Sequence, residues 1–193
     1  DLAGHIATIT IARPERRNAL NEALLGELDG AITAVAPRVR ALVLTGAEGH
    51  FCAGADLTEL EDVAFTQHLS GVLDRLASLP IVTVAAISGS CMGLGMQLAI
   101  ACDLRVVADD ARFAVPVAKL GLMVDYWTLD RVRRFWGEGA ARLMALTATV
   151  LTADDAWRLG FAQARGDLAV ATELATTAVA LAPLRRRLLG LAQ

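Results

Sequence analysis

The feature that most constrains this chain is a stretch without a single charged residue, 76–102. It exceeds the ~20 residues a helix needs to cross a bilayer, so a membrane span is the first reading to test. The order of residue types inside it argues against one. Pro80 precedes a β-branched run (Ile81, Val82, Val84), a Gly/Ser-rich piece follows over 88–95, and only then does an apolar stretch of helical character begin. That order predicts a buried strand, a turn and a buried helix inside a globular core.

The flanking sequence continues the alternation. Over residues 5–12, Ile6, Thr8 and Thr10 alternate with Ala7, Ile9 and Ile11 as in a strand, which Pro14 ends. Leu20, Leu24, Leu28, Ile32 and Val35 recur at helical spacing, with Asn21 as a cap and Pro37 as a stop. Residues 39–45 predict a second strand running into a loop over 46–56. Phe65, Leu69, Val72, Leu73 and Leu76 predict another amphipathic helix before the strand at 81–87. Further on come a strand at 104–108, an extended piece around Phe113, and helices at 128–136 and 138–148. Thr152-Ala153-Asp154-Asp155 then signals the start of one more helix, which Gly160 stops. The chain reads as one α/β domain over residues 1–193, without internal repeats or a composition shift.

Composition narrows the partners. The 193 residues are 55% hydrophobic with a mean hydropathy of +0.48, which predicts apolar surface hidden between subunits of a homo-oligomer. A net charge of −3 with scattered basic residues argues against nucleic acid. The cluster Arg185-Arg186-Arg187 reads as the solvated end of a helix. Cys52, Cys91 and Cys102 are odd in number and lack metal-ligand spacing, so they read as reduced thiols of a cytoplasmic protein with no metal site. The first residues show no signal-peptide pattern.

Two glycine-bearing turns, each just after a predicted strand, carry the chemistry. In Phe51-Cys52-Ala53-Gly54-Ala55-Asp56-Leu57, Gly54 allows a sharp turn that can aim the Ala55 amide into a cleft. In Ser88-Gly89-Ser90-Cys91-Met92-Gly93-Leu94-Gly95, the Leu94 amide would sit at a helix N-terminus, where unpaired N–H groups favour negative charge. Two converging amides suit a carbonyl oxygen that gains charge during a reaction. Either turn alone also reads as a plain turn.

Four blocks, in order and spacing, resemble the crotonase superfamily of enoyl-CoA hydratases and isomerases. They are Arg13-Pro14-Glu15-Arg16-Arg17-Asn18-Ala19-Leu20, the segment 51–57, Gly89-x-x-x-Gly93-Leu94-Gly95, and Ala101-Cys102-Asp103-Leu104-Arg105. The resemblance runs from about Ile6 to about Leu189 and implies a spiral of ββα units followed by helices, assembled as trimers or hexamers. Members of that family carry several tens of further residues of C-terminal helix, which this chain does not show. It also implies an acyl-CoA thioester as ligand, the coenzyme being part of the substrate and no separate cofactor. Ala55 and Leu94 would supply the oxyanion amides. Arg17, Asn18 and Ala19 would lie along the phosphates and pantetheine, and Ala53, Asp56 and Leu57 around the adenine.

The chain departs from the family where two glutamates activate water: it has Gln97 and Val117 in those places. Neither an amide nor an isopropyl group exchanges protons at neutral pH, so ordinary hydratase chemistry is not expected. Gln97 could still orient water or substrate, while Val117 and Trp127 would line the acyl pocket. Gly121-Leu122-Met123-Val124-Asp125 resembles the segment bearing a catalytic aspartate in dienoyl-CoA isomerases and 4-chlorobenzoyl-CoA dehalogenases. Flanked by Val124, Tyr126 and Trp127, Asp125 would be partly desolvated as a general base should be. It reads equally as the cap of the helix near Thr128. A dinucleotide fold fails on glycine order. A cysteine peptidase fails because His5, His50 and His68 all precede Cys91. Two functions remain: an isomerase or unusual hydratase acting through Asp125, and a non-catalytic acyl-CoA carrier or sensor.

Overall fold

The computed structural model describes residues 2–56 and 63–179. Leu57 and the Arg185-Arg186-Arg187 cluster lie outside these residues. A short strand β1 (Leu2–Ala3) turns back onto β2 (Ile6–Ile11), and helix α1 (Glu22–Val35) starts where Asn21 accepts a hydrogen bond from the Leu24 amide at 3.0 Å. Then follow β3 (Ala41–Gly46), α2 (Val63–Ser78), β4 (Val82–Ile87), β5 (Ser90–Met92) and α3 (Leu94–Ala101). After them come β6 (Leu104–Val107), β7 (Arg112–Ala114), α4 (Tyr126–Trp136) and α5 (Glu138–Thr147). The described chain closes with β8 (Leu151–Thr152), α6 (Ala153–Arg158), β9 (Ala164–Arg165) and α7 (Leu168–Val179). The uncharged stretch 76–102 is thus the end of a helix, two strands and a short helix. Among the described residues no helix is long and apolar enough to cross a membrane.

The strands β1-β2-β3-β4-β6-β9 form one sheet, parallel throughout except for β1. All six residues of β4 are buried, because both faces of this sheet are covered. Leu42, Leu44, Ala85 and Ile87 face a core shared with Leu25, Leu28 and Ile32 of α1 and Leu76 of α2. Ala41, Val43, Val84 and Ala86 face the other way, onto Ala171 and Ala175 of α7. Small residues at these two helical positions let α7 lie close against the strands. The twelve residues of α7 give no clear helical signal in the sequence, since an Ala- and Thr-rich helix has a weak apolar period.

A second, smaller sheet, β5-β7-β8, explains the spiral. β4 lies in the large sheet, its successor β5 in the small one, and α3 crosses back to β6. The next turn repeats this with β6, β7 and α4. An earlier turn is outlined after β3, where Cys52 bridges Cys91 in parallel ahead of α2. These are the expected ββα units. β5 sits inside the segment 88–95 that reads as a turn, and its three residues are strand only because Arg112, Phe113 and Ala114 pair with them.

Arg105, in the last family-like block, is 2% exposed and structural. Its guanidinium donates to the carbonyls of Phe161 at 2.8 Å and Cys102 at 3.0 Å and stacks over the Phe135 ring. Burial draws its pKa down to about 10, so it stays charged at neutral pH and ties β6 to the segment before β9.

Candidate functional site

The two glycine turns meet. Cys52 N donates to Ser90 O at 2.9 Å and Met92 N donates to Cys52 O at 3.0 Å, so the segments run side by side. Gly95 then brings the first turn of α3 so close to Cys52 that a side chain there would overlap the Cys52 carbonyl. Gly93, at φ 50° and ψ −111°, turns the chain from β5 into the helix.

This arrangement leaves two amides unused. Leu20 bonds to the neighbours of Ala55, donating to Gly54 O at 2.9 Å and accepting from Asp56 N at 2.7 Å. In a parallel bridge the residue between those two bonds points its own N–H away. Leu94 is the first residue of α3, whose leading amides have no partner within the helix. No described residue accepts a hydrogen bond from either amide.

Both residues border one cavity of about 380 Å³. Its walls are mostly apolar: Phe65 and Leu69 from α2, and Val115, Val117, Leu122 and Val124 from the segment before α4. Phe65 and Leu69 carry no sequence signal as lining residues, because their periodicity marks them only as core, and Leu122 and Val124 stand out only as neighbours of Asp125. Val117 lines the cavity. Trp127 does not. Its indole packs beneath the Arg131 guanidinium, 4.5 Å from the ring centre, as its position in the first turn of α4 directs.

At the polar end stand Gln97, Asp125 and Thr128. Asp125 is the N-cap of α4: Oδ1 accepts from the Thr128 amide at 2.9 Å and Oδ2 from the Thr128 hydroxyl at 2.6 Å. The Gln97 Nε2 reaches across from α3 to Asp125 Oδ2 at 3.1 Å and to Thr128 Oγ1 at 2.8 Å. Asp125 therefore caps the helix and borders the cavity at once. The expectation that it is partly desolvated needs correction, for the residue is exposed, as are its neighbours Met123 and Tyr126. Thr128, 1% exposed, does not stand out in the sequence, although Asp-x-x-Thr ahead of an amphipathic run is itself a capping signal.

The described residues expected along a coenzyme lie on two adjacent segments, 17–19 and 53–56. Ala53 N donates to Arg17 O at 3.0 Å, and the segment 17–20 runs along 53–56 through the Leu20 bonds. Arg17 is exposed at the end of a short 3-10 turn, with φ 49°. Ala53 borders the cavity itself. The Ala19 carbonyl and the Asp56 carboxylate both accept from Arg13 Nη1, at 3.2 and 2.9 Å. Asn18 calls for a second correction. At 0% exposure, its side chain donates to the carbonyls of Ala47 (2.8 Å) and His50 (2.6 Å) and accepts from Arg13 N (2.9 Å). It staples the loops and leaves no surface for a ligand.

The three cysteines are buried free thiols. Burial pushes Cys52 up to about 12 and Cys91 well above the ordinary thiol range, so neither is a nucleophile at neutral pH.

Residues 1–182 match the family model described as Enoyl-CoA hydratase/isomerase. A protein of Mycobacterium tuberculosis named a probable enoyl-CoA hydratase is 44% identical over 181 residues, 93% of this chain and 74% of its own length. The short-chain-enoyl-CoA hydratase of Clostridium acetobutylicum is 36% identical over 166 residues, 81% of this chain and 64% of its own. The crystal structure of an enoyl-CoA hydratase/carnithine racemase from Magnetospirillum magneticum superposes with a TM-score of 0.83 at 28% identity, covering 94% of this chain and 72% of that one.

Proposed function

This chain belongs to the enoyl-CoA hydratase/isomerase family, and on that premise we propose that it holds an acyl-CoA thioester with the carbonyl oxygen between the Ala55 and Leu94 amides. One observation carries the reading. Two backbone N–H groups without a protein partner among the described residues border the same apolar cavity, beside the segment that carries Arg17. Unpaired donors beside apolar walls call for an acceptor, and a thioester oxygen supplies one while its acyl chain fills those walls.

The polar end of the cavity supports binding over hydration. Adding water to a double bond needs one group to take a proton and one to give it. Gln97 is an amide held by Thr128 and Asp125, Val117 is apolar, and the Asp125 carboxylate already accepts three hydrogen bonds. The geometry therefore favours an acyl-CoA carrier or sensor that uses the two amides for recognition. A second reading rests on Asp125 bordering the cavity, where it could move a proton along the acyl chain of an unsaturated acyl-CoA as an isomerase.

Calorimetry with crotonyl-CoA and with crotonic acid, alongside a hydration assay, separates these. The expected result is binding of the thioester but not the acid, weakened by Arg17→Ala, with hydration slower than in two-glutamate relatives by several orders of magnitude, since each acid/base group supplies ~10²–10⁴. Equal affinity for acid and thioester removes the amide site. Hydration at rates normal for the family overturns the carrier reading. Proton exchange on the bound acyl chain that Asp125→Asn abolishes selects the isomerase.

A further inference from the structure

The hydrogen bonds around Gln97 fix more than its position. The Thr128 hydroxyl has one hydrogen, which it gives to Asp125 Oδ2 at 2.6 Å, so at 2.8 Å from Gln97 it can only accept. An ionised Asp125 also only accepts, at 3.1 Å. Both neighbours therefore require the amide nitrogen of Gln97. A flipped amide would set its oxygen against a carboxylate oxygen and a hydroxyl with no hydrogen to spare, so the network itself decides the orientation. Both N–H bonds are then spent, and no described residue donates to Oε1. Toward the cavity that it lines, Gln97 is an acceptor only.

Its place on α3 says what it accepts from. Gln97 is one turn after Leu94, and helical side chains lean toward the N-terminus, so its head lies over the turn that offers the Leu94 amide. A thioester oxygen at that amide brings the first carbons of the acyl chain beneath Gln97.

We propose that Thr128 is a positioning residue which, with Asp125, turns Gln97 into a fixed acceptor, and that the site thereby prefers acyl-CoA thioesters bearing a hydrogen-bond donor near the carbonyl, such as a 3-hydroxyl group, over their saturated counterparts. The inference rests on the acyl-CoA reading of the cavity and deepens it. A glutamine free to turn would serve donor and acceptor alike; Thr128 and Asp125 together remove that freedom. A ligand without a donor leaves Oε1 unpaired, which is the side of the comparison that costs affinity.

The test is the ratio of two dissociation constants measured by calorimetry on the same protein, hexanoyl-CoA against each enantiomer of 3-hydroxyhexanoyl-CoA. Using a ratio cancels any general loss of affinity in a variant. The unchanged protein should bind one hydroxylated enantiomer roughly two- to tenfold tighter, the span of one net neutral hydrogen bond. Thr128→Val, which keeps the shape but accepts nothing, should lower the ratio, because only the 3.1 Å bond to Asp125 then orients the amide, and Thr128→Ser should restore it. Should Thr128→Val fail to fold, Gln97→Met removes the acceptor without touching the cap, and the ratio should fall to about one. A ratio of one in the unchanged protein, a preference that persists in Gln97→Met, or an undiminished preference in folded Thr128→Val overturns the proposal. Failure of the parent reading is separate: neither thioester would then bind more tightly than free coenzyme A.

Discussion

By the family resemblance Gln97 takes the place of a glutamate, and its hydrogen bonds explain why one substitution would not restore that group's chemistry. Its amide donates to Asp125 Oδ2 at 3.1 Å, so Gln97→Glu would set two carboxylates at that distance and leave the Thr128 hydroxyl short of a donor. Loss of those bonds should cost about 1–3 kcal/mol at neutral pH. Chemical denaturation should show a smaller loss in acid, where a proton shared by the two carboxyls restores a donor. For the same reason hydration of crotonyl-CoA should recover further in Gln97→Glu/Val117→Glu/Asp125→Asn than in the first two changes alone, because asparagine still caps α4 and removes the opposing charge. Equal rates in the double and triple variants would show that Asp125 does not oppose the new carboxylate. Among the cysteines, burial raises Cys52 from 9.0 to about 12. A raised folded pKa gives a contribution to stability that is whole below pH 9 and is lost as pH climbs toward 12. Native protein should therefore resist thiol alkylation near neutral pH, react once unfolded, and lose stability across that alkaline window; rapid native labelling of Cys52 would contradict its burial.

Among the elements, α3 depends most on a single residue type. Gly95 presses on the Cys52 carbonyl, so Gly95→Ala has to push the helix off the segment that carries Ala55. The expected cost is about 1–3 kcal/mol of stability together with loss of acyl-CoA affinity, because the two amides then separate. Gly71 is the useful contrast. It lies exposed within α2, and the space that a Cβ would take there is open, so Gly71→Ala should stabilise by about 0.5–1 kcal/mol and raise Tm by about 1–4 °C. Thermal melts of the two variants, with the thioester titration alongside, check both. A neutral Gly95→Ala would mean that the close approach of the two turns is not what builds the site.

For the whole molecule, the exposed apolar side chains raise the question that composition first posed. Leu146 is 72% exposed, and Leu143, Val150, Trp157 and Leu159 are also open to solvent, from within α5 to just past α6. Side chains of this size, left wet in one stretch of the chain, suit a face between subunits. Sedimentation velocity at micromolar concentration should show a species well above the 20.3 kDa of one chain, a trimer or hexamer by family likeness, and Leu146→Glu should shift it toward smaller species. A stable monomer would instead leave this face simply exposed.

Residue order alone settled the elements with a strong period and the blocks that name the family. The alternation of β2, the Asn21 cap, the helical spacing of α2 and the break at Pro80 each depend on neighbours close in sequence. The reading that two acid/base residues are missing rests on the same blocks, as an implication of the resemblance. What only the tertiary structure decided depends on partners far apart. β5 is strand through residues 112–114, Asn18 is a staple through Ala47 and His50, and Trp127 leaves the cavity because Arg131 holds it. The orientation of Gln97 comes from Thr128 and Asp125, about thirty positions away. Hydrogen bonds and close packing of this kind act across a few ångströms, a distance that the order of residues does not encode until the chain has folded.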